Sequence, residues 1–149
     1  MGNLHYQYFR GESMAAPLNS DISVGYVKDE NEKKILFSLA VRGKRDYFSK
    51  KRAHDVLEGR FRKNRTIAVD MPAIPEKTGV KERDHQLLRR WHEQCRQNIL
   101  GKIISDTKEC LDAVGIKALS SVKKWRKNLE LRKLSGERML EVLSLEDME

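Results

Sequence analysis

Three groupings of side chains in this 149-residue sequence have types and spacings suited to chemistry. His85, His92 and Cys95 fall on one stretch, and His92 and Cys95, three residues apart, could touch one ion from a helix. A closed zinc site takes four ligands and normally shows as two close pairs. The second thiol, Cys110, is 15 residues beyond Cys95, about 22 Å along a continuous helix. Cys95 also keeps step with Trp91 and Ile99, which places it in an apolar stripe, so neither a metal nor a cofactor is expected. The second grouping is Glu32-Lys33-Lys34, a Glu-x-Lys with Asp21, Asp29 and Asp70 as further carboxylates. Metal-dependent nucleases cluster such acids around Mg²⁺ and use the Lys to help position water. Here the acids fall in a solvated turn of a chain rich in Lys and Glu. No Gly-rich phosphate loop, Ser nucleophile elbow or supported Cys–His pair accompanies them. The expectation is a protein that is not an enzyme.

The third grouping is cationic. Lys plus Arg number 30 against 22 Asp plus Glu, a formal net charge of +8, and the excess is unevenly placed. Residues 42–65 sum to +7 and residues 117–133 to +6, while 1–27, 28–41, 66–80 and 81–116 stay within one charge of neutral and the tail from Leu134 sums to −4. Two basic islands on a small domain create a potential that attracts polyanions. Arg42, Lys44, Arg45, Lys50, Lys51 and Arg52 form one candidate contact block; Lys123, Lys124, Arg126 and Lys127 form the other. Their role would be mainly phosphate neutralisation. The competing assignment is an assembly or inhibitor protein whose basic surface docks on an acidic protein partner.

Two stretches could aim these cations. Residues 105–130 read as a short helix opening at Ser105, a turn at Gly115, and a basic helix from about Ala118 carrying Leu119, Val122, Trp125 and Leu129 on one stripe. In outline this looks like a helix-turn-helix, in which the second helix lies in a DNA groove. Val122 falls about one residue later after the turn glycine than such families usually place their first buried aliphatic. Upstream, Phe37 to Val41, then Arg42-Gly43-Lys44-Arg45, then Tyr47-Phe48 and a helix, is similar to the small three-stranded sheet-plus-helix domains that bind integrase arm sites. That resemblance implies major-groove contact through Arg42, Lys44, Arg45 and Tyr47.

The elements that must position these residues follow from periodicity. Residues 1–20 mix Gly, Asn, Gln, Ser and Pro and read as a flexible leader without the apolar core of a signal peptide. Ile22, Val24 and Tyr26 alternate as a strand. Ile35, Phe37, Leu39 and Val41 do the same, with Leu36 and Ala40 opposite. A brief strand at Asp46–Phe48 and a helix from Ser49 to about Arg62, buried through Ala53, Val56, Leu57 and Phe61, come next. Thr66–Val69 is a further strand. Pro72, Pro75 and Gly79 mark a linker over 72–80 between a sheet-plus-helix unit (21–71) and a helical region (81–149). Leu87, Leu88, Trp91, Cys95, Ile99 and Ile103 give a long helix, and the remaining helices are expected at 105–114, 118–133 and 136–145.

The fold class is therefore α+β, a small N-terminal antiparallel sheet with one helix followed by a C-terminal helical bundle. No apolar run approaches the ~20 residues of a membrane span. Two cysteines without paired spacing argue against a disulfide scaffold and for a reducing compartment, cytoplasmic or nucleoid-associated. Met139, Leu140, Val142, Leu143 and Leu145 either cap the helical core or dock on a second copy or another protein. The expected function is non-enzymatic nucleic-acid binding, DNA before RNA, by a regulator or accessory factor.

Overall fold

The computed structural model describes residues 4–9, 22–41, 50–116 and 122–147, with side chains over 129–142 of the last stretch. The elements are β1 (His5–Phe9), β2 (Ile22–Asp29), β3 (Lys34–Val41), α1 (Lys50–Arg62), β4 (Ile67–Asp70), α2 (Lys81–Ser105), α3 (Thr107–Ala113) and α4 (Val122–Asp147). The strands form one antiparallel sheet in the order β1-β2-β3-β4, followed by the helical region, an α+β fold. Among the described residues no helix is long and apolar enough to cross a membrane.

Alternation sorts the two faces of the sheet. Tyr26 pairs with Phe37 and Val24 with Leu39, and these large side chains share one face with Phe9, Ile22, Ile35 and Ile67. That face packs on Trp91, Cys95, Ile99, Leu100 and Ile103 of α2, and the same cluster reaches Cys110, Leu111, Val114 and Leu129. One hydrophobic core thus runs from the sheet into α2, α3 and α4. The 72–80 connection is tied to it by Trp91, whose indole N–H donates to the Pro72 carbonyl at 2.9 Å.

The opposite face is small where α1 crosses it. Gly25 pairs with Ser38 and Ser23 with Ala40. A Cβ on Gly25 would meet Leu57 of α1 at 3.3 Å, so a larger residue there would lift the helix. The result is three layers: α1, the sheet, and the helices from α2 onward.

Several elements differ from expectation. β1 lies inside the stretch read as a leader; His5, Gln7 and Phe9 alternate with Tyr6 and Tyr8 against β2. Ser105 does not open a helix. It is the last residue of α2, and its hydroxyl donates back to the Gly101 carbonyl at 2.8 Å. The helices expected at 118–133 and 136–145 are one 26-residue helix, α4. Gly136 lies within that helix, and its turn is so close to Glu93 and Gln97 of α2 that a Cβ would overlap them. Of the expected α1 stripe, Leu57 and Phe61 are buried, whereas Val56 is 36% exposed. The strand expected at Asp46–Phe48 lies outside the described residues.

Candidate nucleic-acid interface

α1 is amphipathic, with Leu57 and Phe61 buried on the sheet and Lys50, Lys51, Arg52, Asp55, Glu58 and Arg62 exposed. It ends in a Schellman turn. Asn64 takes φ +56°, its N–H donates to the Phe61 carbonyl at 3.1 Å, and the Arg65 N–H reaches the Arg60 carbonyl at 2.9 Å. α3 ends the same way. Gly115 has φ +78°, its N–H donates to the Asp112 carbonyl at 3.1 Å, and the Ile116 N–H donates to the Leu111 carbonyl at 2.9 Å.

The two turns meet. The Arg65 guanidinium lies directly over Gly115, where a Cβ would stand 2.5 Å from its Nη1. A cation at the carboxyl end of a helix is favourably placed against the last carbonyls. The seating of Arg65 also brings the end of the 42–65 block to Gly115, two residues before Lys117 opens the 117–133 block. Arg60, by contrast, serves the fold. It is half-buried, its Nη1 donates to the Leu39 carbonyl, and burial followed by the like charge of Arg65 holds its pKa below the usual value.

Helix polarity adds a second feature. Cations destabilise the amino end of a helix, and most helices place acids there, as α2 does with Glu82 and Asp84. Neither α1 nor α4 has an acid in its first turn; the former opens on Lys50, Lys51 and Arg52, the latter on Lys123 and Lys124. That arrangement costs helix stability and concentrates positive potential where backbone N–H groups already point outward.

Beside the start of α1 lies an aromatic group that pattern reading of residues 1–20 missed. Tyr6 stacks on His54 with centroids 3.6 Å apart and planes 15° from parallel. The Tyr8 hydroxyl hydrogen-bonds His54 Nε2, and the Lys50 ammonium lies 5.3 Å from the Tyr8 ring centre. The Tyr6 hydroxyl donates to Glu58 at 3.3 Å; burial, then the Glu58 charge, raises its pKa. The signal was the five-residue alternation His-Tyr-Gln-Tyr-Phe, too short to stand out among polar neighbours.

Of the ten candidate contact residues, Lys50, Lys51 and Arg52 are exposed together at the start of α1. Arg42, Lys44 and Arg45 lie outside the described residues. Lys123, Lys124, Arg126 and Lys127 fall in the first two turns of α4. Over the helix-turn-helix stretch, α3 is seven residues long, and α4 makes its extensive helix contact with α2. Tyr47, the remaining arm-site candidate, also lies outside the described residues.

The other groupings are placed as follows. Glu32 is exposed in the β2–β3 turn, its backbone N–H donating to Asp29 at 3.2 Å, while Asp70 pairs with Lys34. His85 and His92 are exposed, and Cys95 is in the core. Among the described residues no three His, Cys, Asp or Glu side chains are grouped to hold a metal ion. Burial pushes both thiols, Cys95 and Cys110, up to about 11. In the native protein neither is expected to react with a disulfide reagent at about pH 8, and both should react at once in denaturant. Rapid native-state reaction would contradict this core.

No protein-family model, curated protein or solved structure matches the chain.

Proposed function

We propose that this protein binds nucleic acid, duplex DNA before RNA, as a non-enzymatic regulator or accessory factor using both basic blocks as one surface. The observation that supports this reading is the seating of Arg65, the last cation of the first block, on Gly115, two residues before the second block begins in sequence. The acid-free first turns of α1 and α4 support it, because they sacrifice helix stability for positive potential. The preference for DNA rests on groove dimensions. The major groove of B-DNA admits a helix such as α4, and that of A-form RNA is too narrow. A cytoplasmic or nucleoid-associated location goes with this reading, and pairing with a second copy through the C-terminal helix would present two such surfaces.

The test is binding of the purified full chain, freed of copurifying nucleic acid, to a mixed-sequence duplex across a salt series. The expected result is micromolar or tighter affinity at low salt. The log–log salt slope should be about −5 or steeper, as expected when six or more phosphates are neutralised. Absence of binding at low salt would overturn the reading and leave an acidic protein surface as the partner.

A further inference from the structure

Tyr6 pairs with Gly25 and Tyr8 with Ser23, so both tyrosines share the face of the sheet that α1 crosses. Leu57 already closes the contact between α1 and the sheet at 0% exposure, whereas Tyr6, Tyr8 and His54 are only partly buried. The Tyr8 hydroxyl bonds His54 Nε2, and both atoms lie in their ring planes. The two rings therefore sit side by side, 18° from parallel with centres 6.1 Å apart, and form one flat surface. Tyr6 backs that surface, stacked on His54 at 3.6 Å. Lys50 brings its ammonium to 5.3 Å from the Tyr8 ring centre. Lys50, Lys51 and Arg52 are all exposed within the turn that precedes His54, about 6 Å along the helix axis. The neighbouring acids, Asp55 and Glu58, follow His54 in the chain, and Glu58 accepts the Tyr6 hydroxyl. Along α1 the order is thus cations, then rings, then carboxylates.

We infer that Tyr8 and His54, backed by Tyr6, stack an unpaired nucleobase of a strand whose phosphates lie against Lys50, Lys51 and Arg52. Such a site rests on the nucleic-acid reading and adds to it a single-stranded segment beside the duplex. A flat aromatic surface next to cations suits a nucleotide, because every base has a π-face and carries a phosphate through its sugar. An acidic protein segment would gain from the cations but not from the parallel rings. Asp55 and Glu58 repel phosphate and so direct the strand toward the Lys50 end of α1. Stacking of this kind tolerates any base, so the site selects unpaired strand rather than sequence.

Binding of the full chain to three forms of one duplex tests this: blunt, with a short thymidine extension, and with an abasic extension of equal length. The two extensions carry the same phosphates, so the ratio of their affinities isolates stacking. The expected ratio is about tenfold in favour of thymidine, within the range that one base–aromatic stack contributes. It should persist as rising salt weakens both complexes, since stacking releases no counterions. Tyr8→Leu should bring the ratio to about one, and Tyr8→Phe, which keeps the ring, should retain most of it. A ratio of one in the parent chain, with the blunt duplex still bound, would overturn the stacking site and leave the nucleic-acid reading standing. A tenfold ratio that survives in a Tyr8→Leu chain with the parent's circular dichroism spectrum would place the base elsewhere and overturn the site too. Absence of binding to all three forms would overturn both.

Discussion

Replacing Gly136 with leucine is expected to destabilise the protein by about 3 kcal/mol, a fall in Tm of roughly 6–12 °C. Even the first carbon of the new side chain would overlap the Gln97 amide and the Glu93 carboxylate, which bond to each other at 3.0 Å inside the α2–α4 contact. Both residues are 6% exposed, so they cannot swing into solvent without opening the helix pair, and a displaced carboxylate would lose its hydrogen bond from Gln97. Alanine should cost less. It meets the same overlap but gains roughly 1 kcal/mol of helix propensity over glycine. Urea or thermal unfolding of both variants checks the order, and a leucine variant as stable as the parent would mean that α4 does not rest on Glu93 and Gln97.

Reversing Lys123 and Lys124 to glutamate is expected to separate stability from binding. Each new carboxylate sits in the acid-free first turn of α4, where it complements the helix dipole, so the double variant should be more stable by about 1 kcal/mol. Binding should move the other way. Losing two phosphate contacts lowers the salt slope by about 2, and the added repulsion should cost roughly 100-fold in duplex affinity at moderate salt. A merely structural role for these lysines predicts that binding and stability change together or not at all. Anisotropy titrations beside thermal melts distinguish the outcomes. Unchanged affinity would remove α4 from the interface.

Much of the fold was legible because periodicity is a direct record of burial. β2 and β3 show clean alternation with large residues on the side that meets α2, and the α2 stripe from Trp91 to Ile103 is the other half of the same core. β1 was not legible. Five residues within a polar, Gly- and Pro-containing stretch cannot outweigh their neighbours, and the strand is held by pairing with β2, a long-range contact. The continuity of α4 through Gly136 escaped for a similar reason. Leu-Ser-Gly has the composition of a stop, and only the tertiary contact with Glu93 and Gln97 explains a glycine in mid-helix. Of the candidate site, the charge blocks could be located by counting, whereas the seating of Arg65 on Gly115 could not. That contact needs two helix-ending turns, one at Asn64 and one at Gly115, to face each other across the fold.

The central claim is that both basic blocks form one nucleic-acid surface, and backbone amide shifts during duplex titration test it most directly. At 17.3 kDa per chain the protein suits such spectra even as a dimer. The largest shifts are expected to fall together in Lys50–Arg65 and Gly115–Lys127 and to vanish as salt is raised. Shifts confined to one block, or centred on the acidic end of α4, would contradict it.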